Sequence, residues 1–302
     1  MKVLIIGASG LVGNTIYNEF SKNSKYEVYG TYYSYECDNL FYLDMTNKSD
    51  VDTIINSVNP DIIIHPAANP NVEYCEQNPE ETWNVNVEGS RNLIEAAKNN
   101  ESKFIFFSSD YVFDGNNGPY TETDLPNPIN EYGKQKLAVE KLIEEILTDF
   151  LIIRITVVYG WEHRGKNFTM GLIEKLKNGK GMNVPHDQLG SPTYVNNMVQ
   201  AVKILIENDK KGMYNVVGTD TIDRYRFAQN VAKVFDLDES LLTPISTDNL
   251  SQKAKRPLKA GMKVDKIQKE LSVNLMSVIE GLEAMKQNRM EGQYENSGTN
   301  SK

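Results

Sequence analysis

The sequence predicts an α/β fold, a doubly wound parallel sheet with a smaller C-terminal substrate lobe, and three observations carry that prediction. Near-continuous apolar runs of strand length recur at residues 3–6, 61–65, 103–107 and 151–159, as expected for strands buried on both faces of a parallel sheet. Segments with apolar residues at helical spacing separate them, so each strand-helix-strand unit is expected to make a right-handed crossover. The first run passes straight into Gly7-Ala8-Ser9-Gly10-Leu11-Val12-Gly13, ahead of a helical stretch carrying Ile16 and Phe20.

That G-x-x-G-x-x-G spacing reads as a strand, a tight turn and a helix start, the Rossmann-type arrangement for a dinucleotide. Such a turn lets the backbone approach a pyrophosphate, and the unpaired amides and dipole at the helix start favour negative charge. The alternative is a plain glycine-rich turn, but the buried-type strand before it and the helix after it favour a cofactor. Gly7, Ser9, Gly10, Leu11, Val12 and Gly13 are therefore candidate contacts.

The second strand, near residues 26–31, ends at Thr31-Tyr32-Tyr33-Ser34. At this corner a carboxylate would bind the ribose 2′-hydroxyl of NAD, and a basic group would meet the 2′-phosphate of NADP. Neither type stands there. With no carboxylate to repel the phosphate, NADP(H) is favoured over NAD(H), with Thr31 as the contact. Ala67 and Ala68, after strand 61–65, are small enough for a flat cofactor to lie against the strand end, or for a close-packed turn.

A helix is expected from about 80 to 98. Strand 103–107 then ends in Ser108-Ser109-Asp110-Tyr111-Val112-Phe113-Asp114-Gly115, and ligands of open α/β sheets bind beyond the carboxyl ends of strands. A loop over residues 118–130, with Pro119, Pro126 and Pro128, is long enough to fold over that site. After strand 151–159 the pattern loosens. Residues 1–160 are expected to form the dinucleotide-binding domain, with 194–218 returning to it. Residues 161–193 and 219–288 would form the substrate lobe, and 289–302, poor in apolar side chains, a disordered tail.

With 302 residues, 40% of them hydrophobic, the chain is long enough to bury a large core. Its net charge of -9 and pI near 5.1 argue against nucleic acid or an anionic membrane as the main partner. The sequence has neither an apolar run of about 18 residues nor a signal-peptide pattern, which predicts a cytoplasmic protein. Cys37 and Cys75 offer neither a disulfide framework nor a zinc spacing, and His65, His163 and His186 lie far apart, so no metal site is expected.

Tyr132 and Lys136 stand four apart, on one face of a helix beginning near Glu131. An ammonium beside a tyrosine hydroxyl favours the phenolate and makes the tyrosine a usable general acid or base. Alone, a Y-x-x-x-K match is also the pattern of a solvated helix pair. Here it follows a strand ending in Ser108-Ser109 and a dinucleotide loop. A serine hydroxyl, a Tyr–Lys pair and a nicotinamide make a complete device for moving a hydride to or from a carbonyl.

These stretches resemble the extended short-chain dehydrogenases/reductases, and within them the dTDP-4-dehydrorhamnose reductase family, over most of the chain. The resemblance rests on GASGLVG, HPAANPNVEYCEQNPE from His65, VNVEGSRNL from Val85, SSDYVFDG from Ser108, YGKQK from Tyr132, DQLGSPT from Asp187, and Arg256-Pro257. It implies that Ser109 hydrogen-bonds a keto oxygen, Tyr132 supplies the proton, and Lys136 holds the nicotinamide ribose and tunes Tyr132. It further implies that Asp44 and Met45 touch adenine.

The implied reaction is NAD(P)H-dependent reduction of a nucleotide-linked 4-keto-6-deoxy sugar, with a homodimer as one assembly. Asp110, Tyr111, Asn167, Phe168, Gln188 and Arg256 are the candidate sugar-nucleotide contacts; the planar fork of Arg256 suits a diphosphate. Dehydratases of this superfamily carry an Asp-Glu pair after the catalytic Ser or Thr, whereas Asp110-Tyr111 lacks the second carboxylate, which favours reduction. Two alternatives stay open: a nucleotide-sugar epimerase, and a non-catalytic NADP-binding regulatory subunit like the β subunit of methionine adenosyltransferase, which also has SSDYVFDG and Y-G-x-x-K. Val157 stands where reductases of the group often have Trp, at a position that shapes the sugar pocket. Asn86 is read as tying the sheet to a helix, His65 as a packed strand end, and Trp83 and Trp161 as core and lobe packing.

Overall fold

A computed structural model describes residues 1–163 and 165–290. The first half of the chain runs β1 (Lys2–Ile5), α1 (Leu11–Ser21), β2 (Glu27–Tyr32), β3 (Phe41–Tyr42), α2 (Lys48–Val58), β4 (Ile62–His65), α3 (Val72–Gln77), α4 (Pro79–Trp83), α5 (Gly89–Asn99), β5 (Lys103–Ser109), α6 (Glu131–Ile146) and β6 (Phe150–Ile155). The second half runs β7 (Val158–Tyr159), α7 (Phe168–Lys177), β8 (Met182–Pro185), β9 (Leu189–Gly190), β10 (Thr193–Tyr194), α8 (Val195–Glu207), β11 (Gly212–Asn215), β12 (Ile222–Asp223), α9 (Arg224–Val234), β13 (Leu242–Ile245), α10 (Asp265–Leu271) and α11 (Val278–Met290).

Seven strands form one parallel sheet in the order β11-β6-β5-β4-β1-β2-β3. The order reverses direction at β1, so the loops after β1 and β4 part there and leave a crevice beyond their carboxyl ends. Alternate residues of each strand face opposite sides. Val3, Ile5, Ile64, Ile105, Phe107 and Ile153 pack under α1 and α8, while Leu4, Ile63, Phe104, Phe106 and Ile152 pack under α2, α5 and α6. Both faces are covered, which is why the strands read as unbroken apolar runs. Each such fully buried side chain contributes about 1.5–3 kcal/mol. A third cluster joins Trp161, Leu172, Val184, Phe227, Leu242 and Leu282 from the second half of the chain.

Several elements differ from expectation. The stretch from 79 to 99 is not one regular helix: a π-helical turn, Asn84–Glu88, separates α4 from α5 at the buried Asn86, whose amide donates to Gln135 Oε1 at 2.7 Å. Short α3, capped by Asn71, precedes it. Trp83 is 39% exposed rather than in the core, whereas Trp161 is buried and donates to Met285 O at 2.7 Å. The loop over 118–130 is no free lid. Tyr120 stacks on Phe113 with centroids 4.1 Å apart, and its N–H donates to Gly261 O at 2.7 Å. Helix α11 continues through residues 289 and 290, and the rest of the expected tail lies outside the described residues. Among the described residues no helix is long and apolar enough to cross a membrane.

Candidate active site

β1 delivers the chain to Gly7, whose φ of +82° is a conformation that side chains resist. Its N–H donates to Thr31 Oγ1 at 3.1 Å, and the Ala8 N–H to Thr31 O at 2.7 Å. Thr31, at the carboxyl end of β2, is thus buried, 1% exposed, and its two oxygens brace the loop. Gly13 packs on the same turn, where a Cβ would come within 2.2 Å of Gly7 O. A Cβ on Gly7 would sit 2.9 Å from that of Ala67, so the end of β4 and the glycine loop touch through their smallest residues. Ser9 and Ala68 are half-buried nearby in sequence, and Leu11 and Val12 pack their side chains on the core.

Helix α1 starts at Gly10, and among the described residues no side chain caps it and no acid lies in its first turn. By contrast α2, α6, α7 and α9 are capped by Asn47, Asn130, Asn167 and Asp223. An uncapped helix start reached by a glycine turn fits a pyrophosphate. Asp44 Oδ1 accepts from the Thr46 N–H and hydroxyl at 2.9 and 2.7 Å, closing a turn, and Met45 lies against Gly89, where a Cβ would be 2.8 Å from its Cγ.

The Ser109, Tyr132 and Lys136 side chains come together at the carboxyl end of β5. Asn130 caps α6 by accepting from Gly133 N at 2.9 Å, and Gly133 is so close to the 109–112 turn that a Cβ would meet Tyr111 O at 2.0 Å. This contact seats Tyr132 close to Ser109, and the Tyr111 ring meets the Tyr132 ring edge-on, centroids 5.8 Å apart. One turn on, Lys136 Nζ donates to Phe107 O at 2.9 Å and lies over the Phe106 ring.

Burial raises the Tyr132 pKa, and the Asp110 charge adds to it, so the phenol is firmly protonated. Burial lowers Lys136 to about 8, against the charge of Glu140. Asp110 is held up at about 6 by burial, opposed by hydrogen bonds from Thr156 and Ser109 and by the charge of Arg224. His65, fully buried, is pushed down to about 3 by burial and by Lys136, and its Nε2 lies 2.9 Å from Ser90 Oγ, as a packed strand end should.

A pocket beside this group is lined by Asp110, Tyr111, Val157, Gln188, Arg224 and Phe227 among others. Three expected contacts are not on its lining. Asn167 is consumed by its own surroundings, accepting from Met170 N and donating to Gly160 O and Glu162 Oε1. Phe168 sits one layer back, stacked on Phe227 with centroids 6.1 Å apart. Arg256 is paired with Glu73 at 2.8 Å. The sequence reading missed Arg224, which stands over the Phe168 ring with its N–H donating to Gln188 O at 3.1 Å, and Thr156, bonded to Asp110. Only the Asp223 cap hinted that a helix start would carry Arg224 to the pocket. Val157 holds a φ of +44°, a strained conformation for a β-branched residue and one that concentrates at functional sites.

A glycine loop and a Ser–Tyr–Lys group at the carboxyl ends of a parallel sheet define a short-chain dehydrogenase/reductase. The chain belongs to the RmlD substrate binding domain family, whose model matches residues 1–290. It is 33% identical over 284 residues to dTDP-4-dehydrorhamnose reductase of Aggregatibacter actinomycetemcomitans, covering 90% of this chain and 94% of that one. It is also 33% identical over 274 residues to methionine adenosyltransferase 2 subunit beta of Bos taurus, covering 88% and 81%. The crystal structure of dTDP-4-dehydrorhamnose reductase from Bacillus anthracis in complex with NADP superposes with a TM-score of 0.88 at 30% identity, covering 95% of this chain and 99% of that one.

Proposed function

We propose that the protein is a cytoplasmic NADP(H)-dependent reductase of a nucleotide-linked 4-keto-6-deoxy sugar, a reading supported by relatives named dTDP-4-dehydrorhamnose reductase. The observation that carries this reading is the meeting of Ser109, Tyr132 and Lys136 at the carboxyl end of β5, with Lys136 Nζ 5.8 Å from the centre of the Tyr132 ring, in the sheet whose β1 leads into the glycine loop. A bound nicotinamide supplies the hydride. Tyr132 then gives its proton to the developing alkoxide, Ser109 orients that oxygen, and the buried Lys136 cation offsets the phenolate that remains.

The glycine loop and the uncapped start of α1 hold the pyrophosphate, with Asp44 and Met45 toward the adenine. The lobe built from residues 161–193 and 219–288 receives the sugar nucleotide, where Gln188 and Arg224 replace Arg256 as the polar contacts. Preference for NADP(H) over NAD(H) is supported by the lack of a carboxylate at residues 31–34 and by the relative solved with NADP. Glu36, beside Tyr32, is the carboxylate that works against a 2′-phosphate.

Mixing the protein with NADPH and a dTDP-4-keto-6-deoxyhexose should consume the reduced cofactor, and Tyr132→Phe should abolish that consumption. A wild-type protein that oxidises no NADPH with such a sugar refutes the proposal. The similarity to the bovine methionine adenosyltransferase subunit favours a second reading, a non-catalytic binding subunit. In that case NADPH would bind unconsumed and a partner enzyme would co-purify.

A further inference from the structure

The pocket beside the Ser109, Tyr132 and Lys136 group is nearly shut. Its free volume is about 20 Å³, room for about one water, whereas a site that takes a small molecule encloses about 300–1,000 Å³. For a sugar to enter, one wall has to move. Most walls are fixed by their own bonds and packing: Thr156 donates to Asp110 at 2.7 Å, Gln188 Nε2 donates to Thr247 Oγ1 at 2.9 Å, and Phe227 packs against the Tyr159 and Phe168 rings.

Pro257 is the wall of a different kind. It ends a run, residues 251–257, that follows β13, crosses to the first half of the chain and forms neither helix nor strand. Both ends of the run are anchored. Before it, the Thr247 N–H and hydroxyl donate to Asp187 at 2.9 and 2.6 Å; after it, Leu258 O accepts from the Leu189 N–H at 2.7 Å and the Lys259 N–H donates to Gly115 O at 2.9 Å.

The middle is held by side chains alone. Glu73, on α3, gives one carboxylate oxygen to the Lys253 N–H at 2.9 Å and the other to Arg256 Nη2 at 2.8 Å, while Asn130 Nδ2 donates to Lys255 O at 2.8 Å. Both oxygens of Glu73 are thus spent on this run. We propose that residues 251–257 are a strap that closes the sugar site, and that Glu73 is its latch: a sugar nucleotide enters when the strap lifts from Glu73. The proposal rests on the reductase reading above.

A latch has a consequence that a plain tie between two parts of a fold lacks. When only a fraction of molecules is open, the apparent dissociation constant is the intrinsic one divided by that fraction, so weakening the latch tightens binding. Lys253 and Lys255 stand exposed on the strap in a chain of net charge -9, so an anionic sugar nucleotide is drawn to the segment that has to move.

Glu73→Gln keeps the size of the side chain and removes its charge, which should raise the open fraction about fivefold, the upper worth of an exposed ion pair. Hydrogen exchange at the Lys253 amide, and trypsin cleavage after Lys253 and Lys255, should quicken by that factor. Calorimetry with a dTDP-hexose should show about fivefold tighter binding, with NADPH affinity unchanged. Glu73→Ala, which also frees the Lys253 N–H, should go further in the same direction. A Lys253 amide that exchanges at the wild-type rate in both variants, or wild-type sugar binding that Glu73→Gln fails to tighten, overturns the proposal. Exchange and cleavage need no sugar, so a strap loosened in both variants of a protein that neither binds a dTDP-hexose nor consumes NADPH refutes the reductase reading and leaves the latch standing.

Discussion

Glu140 accepts two hydrogen bonds from Arg154, at 2.9 and 2.7 Å, with both side chains 2% exposed. Tyr132, Lys136 and Glu140 follow one another at four-residue steps along α6, so the helix face that carries the candidate acid is fastened to β6 by this pair. The Glu140 charge also pushes the Lys136 pKa up against burial. Glu140→Gln should leave the buried Arg154 cation uncompensated and lower stability by about 3–5 kcal/mol. Urea denaturation measures this, and a change below about 1 kcal/mol would mean that the pair behaves as an exposed one.

Lys136→Met should keep the fold's apolar contacts while removing the cation beside Tyr132. Turnover is expected to fall by about 10²–10⁴-fold, the usual worth of a positioned proton donor. Steady-state kinetics with NADPH as the varied substrate separates loss of proton transfer, read in kcat, from loss of ribose binding, read in KM.

Two glycines of α1 and α7 should answer alanine in opposite ways. In Gly13→Ala the new Cβ meets Gly7 O at 2.2 Å, a backbone atom that cannot yield without deforming the loop. Overpacking of this kind costs about 1–3 kcal/mol, and dinucleotide affinity, followed by NADPH fluorescence, should fall at least tenfold. Gly171, within α7, has nothing among the described residues within 4 Å of the place a Cβ would take, so Gly171→Ala should raise stability by about 0.4–1 kcal/mol. Equal effects at the two positions would contradict the close packing of the loop.

His65 gives stability a pH dependence with a definite sign. Its folded pKa of about 3 lies below the unfolded value near 6.5, so the folded state excludes a proton that the unfolded chain accepts. The stability it contributes is complete above pH 6.5 and is lost as pH falls toward 3. Between pH 6 and pH 4 the stability gap between wild type and His65→Gln should narrow by about 1.4 kcal/mol per unit. Asp110 titrates in both proteins and cancels. Denaturation series at several pH values check this, and a constant gap would show that His65 is protonated as easily in the fold as out of it.

What was legible in the sequence is what local spacing encodes. Gly7, Gly10 and Gly13 announce a loop because a turn at positive φ and a close backbone approach both call for glycine, and Tyr132 and Lys136 share a face because a helix repeats every 3.6 residues. The parallel sheet covered on both faces followed from apolar runs with helices between them. Arg224, Thr156 and the Glu140–Arg154 pair were not legible, because their partners lie far along the chain and meet only when the sheet closes. Asn167 and Arg256 look like ligand contacts by residue type, but their hydrogen bonds are taken by Gly160, Glu162 and Glu73. The bond between Thr31 and Gly7 was equally out of reach, since it joins the end of β2 to the glycine loop.

Reduction at this site is tested most directly by following a labelled hydride. Wild-type protein is incubated with NADPH deuterated at the nicotinamide C4 position and a dTDP-4-keto-6-deoxyhexose, and the product is weighed by mass spectrometry. A reductase that works through Tyr132 yields a sugar nucleotide carrying one deuterium at C4 and an equal amount of NADP, with neither formed by Tyr132→Phe. An isomerised sugar without net consumption of cofactor, or bound NADPH recovered intact, would contradict it.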